Sequence, residues 1–205
     1  NDYLLKKQYL DENSSKIETL ILGSSHSFYG LNPNFISSNT FNASYISQTL
    51  NYDVEILKKY QDRFTNLKTI IVPISYFTLF GKLSAGPESW RAKNYIIYYD
   101  LDLSKSLSDY SEVLSNRINV NLNRINSYYI KGRSTISSTD LGWGRNFNSK
   151  HARDLIKTGK IASKRHTIKN INTDKYHQIF QENIFLLESI IQWSKKNNIK
   201  VLLLT

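Results

Sequence analysis

Short apolar runs and helix-spaced apolar stripes alternate along this chain. Ile17-Glu18-Thr19-Leu20-Ile21-Leu22 is a short apolar run broken by Gly23, which predicts a buried strand. Thr40-Phe41-Asn42-Ala43-Ser44-Tyr45 predicts a second strand. Residues 67–75 predict a third and hold the most continuous apolar run, with Pro73 expected at the strand end because it has no N–H for a ladder. Over residues 48–63, Leu50, Val54, Leu57 and Tyr60 recur at three- and four-residue spacing, the stripe of an amphipathic helix. Ile179, Ile184, Leu187 and Ile191 mark another helix over 176–196, which Asn197-Asn198 closes. Ile199–Leu204 then reads as a fourth strand. Residues 1–16 are polar and charged and read as a lead-in helix or arm. Leu31-Asn32-Pro33 is a turn, and Phe35-Ile36 is a candidate helix start.

Strand, helix and strand with two-sided apolar runs imply an α/β fold, a mostly parallel sheet covered by helices. Residues 81–175 break that rhythm with Gly81, Gly86-Pro87, the tyrosines Tyr95, Tyr98 and Tyr99, and a basic stretch. They are expected to form a long basic insertion after the third strand, with some helix near 103–130, inside a single domain spanning residues 1–205. A chain of 205 residues can bury a real core, and a hydrophobic content of 40% argues against disorder. The absence of cysteine excludes a disulfide, a thiolate nucleophile and a cysteine-based metal site. No apolar run approaches the roughly 18–20 residues that would span a bilayer.

The net charge of +10 is unevenly placed. Residues 1–103 hold ten Lys/Arg against ten Asp/Glu, and residues 104–205 hold seventeen against seven. Most of the excess lies between Arg117 and Lys175. Such a field favours acidic polysaccharide, phospholipid head groups or nucleic acid, although a basic surface can also serve solubility alone. The interleaving of aromatics with these charges is thin and no nucleic-acid motif is present, so nucleic acid is not the expected partner.

In open parallel sheets, ligands bind beyond the carboxyl ends of the strands. Three loops with small polar groups start there: Gly23–Ser27, Asn42–Tyr45 and Ser75–Phe77. Ser25 is the candidate nucleophile. A serine in a tight turn after a strand can present its hydroxyl above the sheet edge, with backbone N–H groups aimed at a developing oxyanion. Gly23 permits the sharp turn. The nucleophile elbow G-x-S-x-G is not met, because Ser27 stands at the second glycine, and a Gly-Ser-Ser turn also reads as a plain helix cap.

Leu20–Ser27 followed by Tyr29-Gly30-Leu31-Asn32-Pro33 resembles the first block of a bacterial branch of the SGNH hydrolase superfamily, with Gly-Ser-Ser in place of Gly-Asp-Ser. Phe41-Asn42-Ala43, Ser47-Gln48-Thr49-Leu50, Tyr52-Asp53 and Ile74-Ser75-Tyr76-Phe77 fit the same branch. The likeness covers residues 17–80, and 176–205 only as a helix and a strand. It implies a three-layer, SGNH/flavodoxin-like sandwich that hydrolyses or transfers an ester, commonly a carbohydrate O-acetyl group. It places the nucleophile at Ser25 and makes Asn42, Ser75 and His26 oxyanion or site-lining residues. The second block's glycine is replaced by Asn42–Ser44, and the third block's asparagine falls near Ser75. The superfamily's Asp-x-x-His would follow the strand after Leu204, so the chain is expected to be a C-terminally incomplete fragment. Asp174-Lys175-Tyr176-His177 has Asp-x-x-His spacing but precedes its helix and strand. His151 and His166 stand among Lys and Arg and read as solvated.

No His/Asp/Glu set has metal-ligand spacing, so neither a metal nor another cofactor is expected. Trp90, Trp143 and Tyr95–Tyr99 suit either sugar stacking or core packing. The function implied is a serine esterase or O-acetyltransferase acting on acyl groups of a bacterial cell-surface polysaccharide, and the basic insertion would attract an acidic one. The alternative is a non-catalytic glycan-binding module of the same fold. The resemblance also implies an extracytoplasmic, cell-envelope location and an upstream membrane anchor outside this chain.

Overall fold

The predicted strands form β1 (Thr19–Ile21), β2 (Thr40–Asn42), β3 (Thr69–Pro73) and β4 (Lys200–Leu204) in a computed structural model of the chain. It describes residues 1–101, 103, 107–111, 113–114, 118–146, 154–168 and 170–205. The four strands make one all-parallel sheet in the order β2-β1-β3-β4. Leu20 pairs with both Phe41 and Ile70, and Ile70 pairs with Val201. Residues paired across the strands share a face. Leu20, Leu22, Phe41, Ile70 and Val72 therefore enter the main core together. Ile21, Asn42 and Ile71 look out from the other face and are also buried. Burial on both faces explains why β1 and β3 read as unbroken apolar runs. Pro73 closes β3, as its missing N–H requires.

The main core is covered by α1 (Asp2–Asn13), α3 (Leu50–Tyr60) and α8 (Asp174–Lys196), with α2 (Ser25–Gly30) introduced between β1 and β2. The polar lead-in is thus a helix that belongs to the core. Asn1 caps α1 by accepting the Tyr3 N–H at 2.9 Å, Tyr3 and Leu10 are buried, and Tyr9 stacks on Phe41 with ring centroids 4.4 Å apart. Tyr60 of α3 donates to Asp11 of α1 at 2.9 Å. In α8 the buried stripe is Ile179, Asn183, Leu187, Ile190 and Ser194, rotated from the aliphatic spacing, so that Ile191 points outward. On the opposite face of the sheet, the Asn42 amide reaches the carbonyls of Ser27 and Leu31, which brackets α2. The Phe35-Ile36 helix start is a correction: one 3₁₀ turn spans Pro33–Phe35, and Phe35 is 88% exposed with no apolar surface to hold a longer helix.

The long connection after β3 begins with α4 (Tyr76–Phe80) and α5 (Ala92–Tyr99). α5 packs on α1 and sends Tyr95 and Tyr99 into the core, where Tyr95 stacks on Tyr52 at 4.1 Å. Helix returns in α6 (Ile118–Ile125), which runs into a π turn over Asn126–Ile130, and in α7 (Leu155–His166). Between them, residues 137–146 form a strap across the outer edge of β2. The Leu141 carbonyl accepts the Asn42 N–H at 3.0 Å, and the Gly144 N–H donates to Phe28 O at 2.8 Å. A Cβ on Gly142 would lie 2.0 Å from Asn42 O, and one on Gly144 would lie 2.4 Å from the Phe28 ring. Both glycines are required by that close approach, and the strap protects an edge that would otherwise expose unpaired backbone.

Candidate functional site

The order β2-β1-β3 reverses direction at β1, and the loops after β1 and β3 diverge there, the place where open α/β sheets leave a crevice. Gly23 follows β1 with φ +104°, a backbone open to glycine and costly for other residues. A Cβ at this position would stand 2.9 Å from Ser27 Oγ and 3.1 Å from Pro73 Cδ. The turn is held from three sides. The Gly23 N–H donates to Asp53 Oδ1 at 2.8 Å, Gly23 O accepts the Tyr45 N–H at 3.2 Å, and Ser27 Oγ donates to Leu22 O at 2.8 Å. Ser25 is the first residue of α2 and is half-buried.

Ser25 and His26 line a cavity of about 1090 Å³. Its wall also includes Ser47 from the loop after β2, Glu88 and Arg91 before α5, and Lys175 and Tyr176 in the first turn of α8. Glu88 Oε2 accepts from the Ser47 hydroxyl and, at 2.8 Å, from Arg91 Nε. Lys82, also on the wall, pairs with Glu182 at 2.7 Å. Two of the wall's cations therefore already face carboxylates, and Lys175 is a further cation on the wall.

The sequence-derived residues divide into two groups. Ser25 and His26 meet at the cavity, while Asn42 and Ser75 are not part of its wall. The Asn42 amide donates to Ser27 O and Leu31 O, both at 2.9 Å, and its carbonyl accepts the Ser44 N–H at 3.1 Å and the Ser44 hydroxyl. That leaves a buried amide with its capacity engaged by backbone and Ser44. Ser75 caps α4: its Oγ accepts the Thr78 N–H at 3.2 Å in a reciprocal capping box. His26 Nδ1 lies 3.3 Å from Ser24 Oγ, so the neighbouring hydroxyl that meets the imidazole belongs to Ser24. Asp174 and His177 occupy the first turn of α8, from which Lys175 and Tyr176 reach the cavity. His151 lies outside the described residues. Tyr95 and Tyr99 are core residues, Trp90 is half-exposed beneath Arg91 at 4.4 Å, and the Trp143 indole N–H donates to Tyr29 O at 2.8 Å. Among the described residues, no group of three His, Cys, Asp or Glu could hold a metal ion.

Asp53 is a positioning residue to which sequence reasoning assigned no role. It is buried in α3, and its Oδ1 accepts both the Gly23 N–H and the Gln48 amide, the latter at 2.5 Å. Gln48 in turn accepts the Tyr95 hydroxyl at 2.8 Å. Desolvation pushes the Asp53 carboxyl up to about 6, against the two hydrogen bonds that favour its charged form. The signal was an acid inside an otherwise apolar stripe, between Leu50 and Val54. Lys6 of α1 is also buried. It donates to Ser44 O at 2.5 Å and lies over the Phe28 and Tyr45 rings at 4.6 and 4.3 Å. Burial outweighs these contacts and the attraction of Asp2, and holds its pKa well below the usual lysine range.

No family model matches this chain, and neither a curated protein nor a solved structure matches it.

Proposed function

We propose that the chain carries the nucleophile of an SGNH-type serine esterase or O-acetyltransferase acting on acyl groups of a bacterial cell-surface polysaccharide. The observation that supports this reading most is the position of Ser25. Half-buried Ser25 lines a cavity of about 1090 Å³, just after a turn whose glycine has no room for a side chain. The strand order 2-1-3-4 supports the SGNH/flavodoxin-like form of the α/β fold, with the site at the switch between β1 and β3. In this chemistry Ser25 Oγ bonds to the acyl carbon, and the sugar oxygen leaves carrying a proton. Water or an acceptor hydroxyl then attacks the acyl-serine and frees it. The serine needs a base to take its proton. The resemblance assigns that part to the histidine of an Asp-x-x-His pair.

The reading is tested with an active-serine phosphonate probe and p-nitrophenyl acetate, applied to this chain and to the full-length gene product. Covalent labelling at Ser25, and loss of turnover by at least about 10³-fold in Ser25→Ala, is the expected result. A full-length protein that is not labelled, or a Ser25→Ala variant that keeps its activity, overturns it.

One set of contacts favours the second reading, a glycan-binding module without turnover. Asn42 and Ser75 are engaged in structural hydrogen bonds, and the His26 imidazole faces Ser24. That reading expects polysaccharide affinity to be unchanged in Ser25→Ala.

A further inference from the structure

Two helices far along the chain expose the side chains that helices in water-soluble domains usually bury. Ile118, Leu122, Ile125 and Tyr129 follow one another at spacings of four, three and four, which puts them on one stripe of α6 and the turn that continues it. They are 79%, 60%, 53% and 78% exposed. None joins the core. α7 exposes aliphatic and basic side chains together: Leu155, Ile156 and Ile161 alternate with Lys157, Lys160 and Lys164. Residues 117–175 hold thirteen Lys/Arg against three acids.

The occupant of such a surface must accept aliphatic side chains and positive charge together. A second copy of this chain would bring like charges face to face, which opposes association. Single-stranded nucleic acid offers phosphates, but it stacks on planar side chains, and the exposed set here is mostly branched aliphatic. An anionic bilayer accepts both. Aliphatic side chains enter the boundary of the acyl chains, tyrosine suits the interface, and lysines reach the lipid phosphates. Among the described residues no helix is long and apolar enough to cross a membrane, so contact through these helices lies in the plane of the interface. We propose that the Ile118–Ile130 helical segment and α7 dock this domain peripherally onto an anionic lipid surface.

The test is co-sedimentation of the chain with phosphatidylcholine vesicles, and with vesicles holding phosphatidylcholine and phosphatidylglycerol at about 3:1. Two variants accompany it: Ile118→Asp/Leu122→Asp/Ile125→Asp, and Lys157→Glu/Lys160→Glu/Lys164→Glu. All six positions are solvent-exposed, so both variants are expected to remain folded, with a cooperative thermal unfolding transition. The wild type is expected to sediment with the anionic vesicles and not with the neutral ones. Each variant is expected to lower that binding by about tenfold or more. Three results would each overturn the proposal. One is no binding to anionic vesicles. Another is an aliphatic variant that binds as well as the wild type, which would reduce the surface to a general polycation. The third is light scattering that finds a wild-type dimer converted to monomer by the aliphatic variant.

Discussion

Gly23 and Asp53 meet in one of the hydrogen bonds that hold the turn before Ser25. A Cβ at Gly23 would meet Ser27 Oγ at 2.9 Å on a backbone already at φ +104°. Gly23→Ala is expected to cost about 1–3 kcal/mol and to reduce phosphonate labelling at Ser25, measured by thermal unfolding and by mass spectrometry. Asp53 gives the molecule a pH dependence of defined sign. Its carboxyl titrates near 6 when folded and near 3.8 when unfolded. Below that lower value both states hold the proton, and above about 6 both have lost it. Between them the folded state keeps a proton that the unfolded chain releases. The Asp53 contribution to stability is therefore present at low pH and lost as pH rises through that window, by about 2–3 kcal/mol. Denaturant titrations from pH 4 to 7.5 are expected to show a decline that Asp53→Asn removes; parallel curves for the two proteins would refute it. The turn at Gly23 was legible where it breaks the apolar run, but the role of Asp53 was not. A polar residue that faces inward is counted as outward by any periodicity, and Lys6, Asn42, Asp53 and Asn183 all face inward here.

Elements on both sides of β2 depend on one carboxylate. Asp2, in the first turn of α1, accepts the N–H and hydroxyl of Ser137 at 2.8 and 2.7 Å, and the N–H and hydroxyl of Ser138 at 2.9 Å each. These four bonds pin the strap of residues 137–146 to the start of the chain and hold it against the β2 edge. Asp2→Ala removes every one of them. The expected outcome is a destabilisation of about 2–4 kcal/mol, with faster amide exchange at Asn42 and Gly144, whose N–H groups bond across this contact. Unchanged exchange at both amides would show that the backbone bonds hold the strap unaided. The sequence offered no sign of this pairing, because the partners are 135 residues apart and serine is ordinary in a loop. Asn183 is a similar case. Its amide donates to Leu79 O at 2.9 Å and Gly81 O at 3.1 Å, so α8 satisfies the carbonyls at the end of α4 from within its buried stripe.

At the scale of the whole molecule, the net charge of +10 sets a further expectation. The described ion pairs, such as Lys7–Asp11 and Lys68–Glu18, involve solvent-accessible side chains of little individual worth, so self-repulsion of the excess charge is the larger electrostatic effect. Sodium chloride is expected to raise Tm at pH 7 by a few degrees between low and moderate salt, and a fall would show that the ion pairs dominate. The strands, α3, α8, the place of Pro73 and the parallel sheet follow from the sequence alone, because each is written in local periodicity and in which residues can donate to a ladder. Ser25 and its glycine are likewise local, since one turn contains them. Only the tertiary structure decided that Asn42 and Ser75 hold neighbouring backbone, that Asp53 reaches Gly23, and that residues 137–146 close the β2 edge. Those outcomes depend on which distant groups meet after the chain collapses, and a buried polar side chain is fixed by the partner that satisfies it rather than by its position in a repeat.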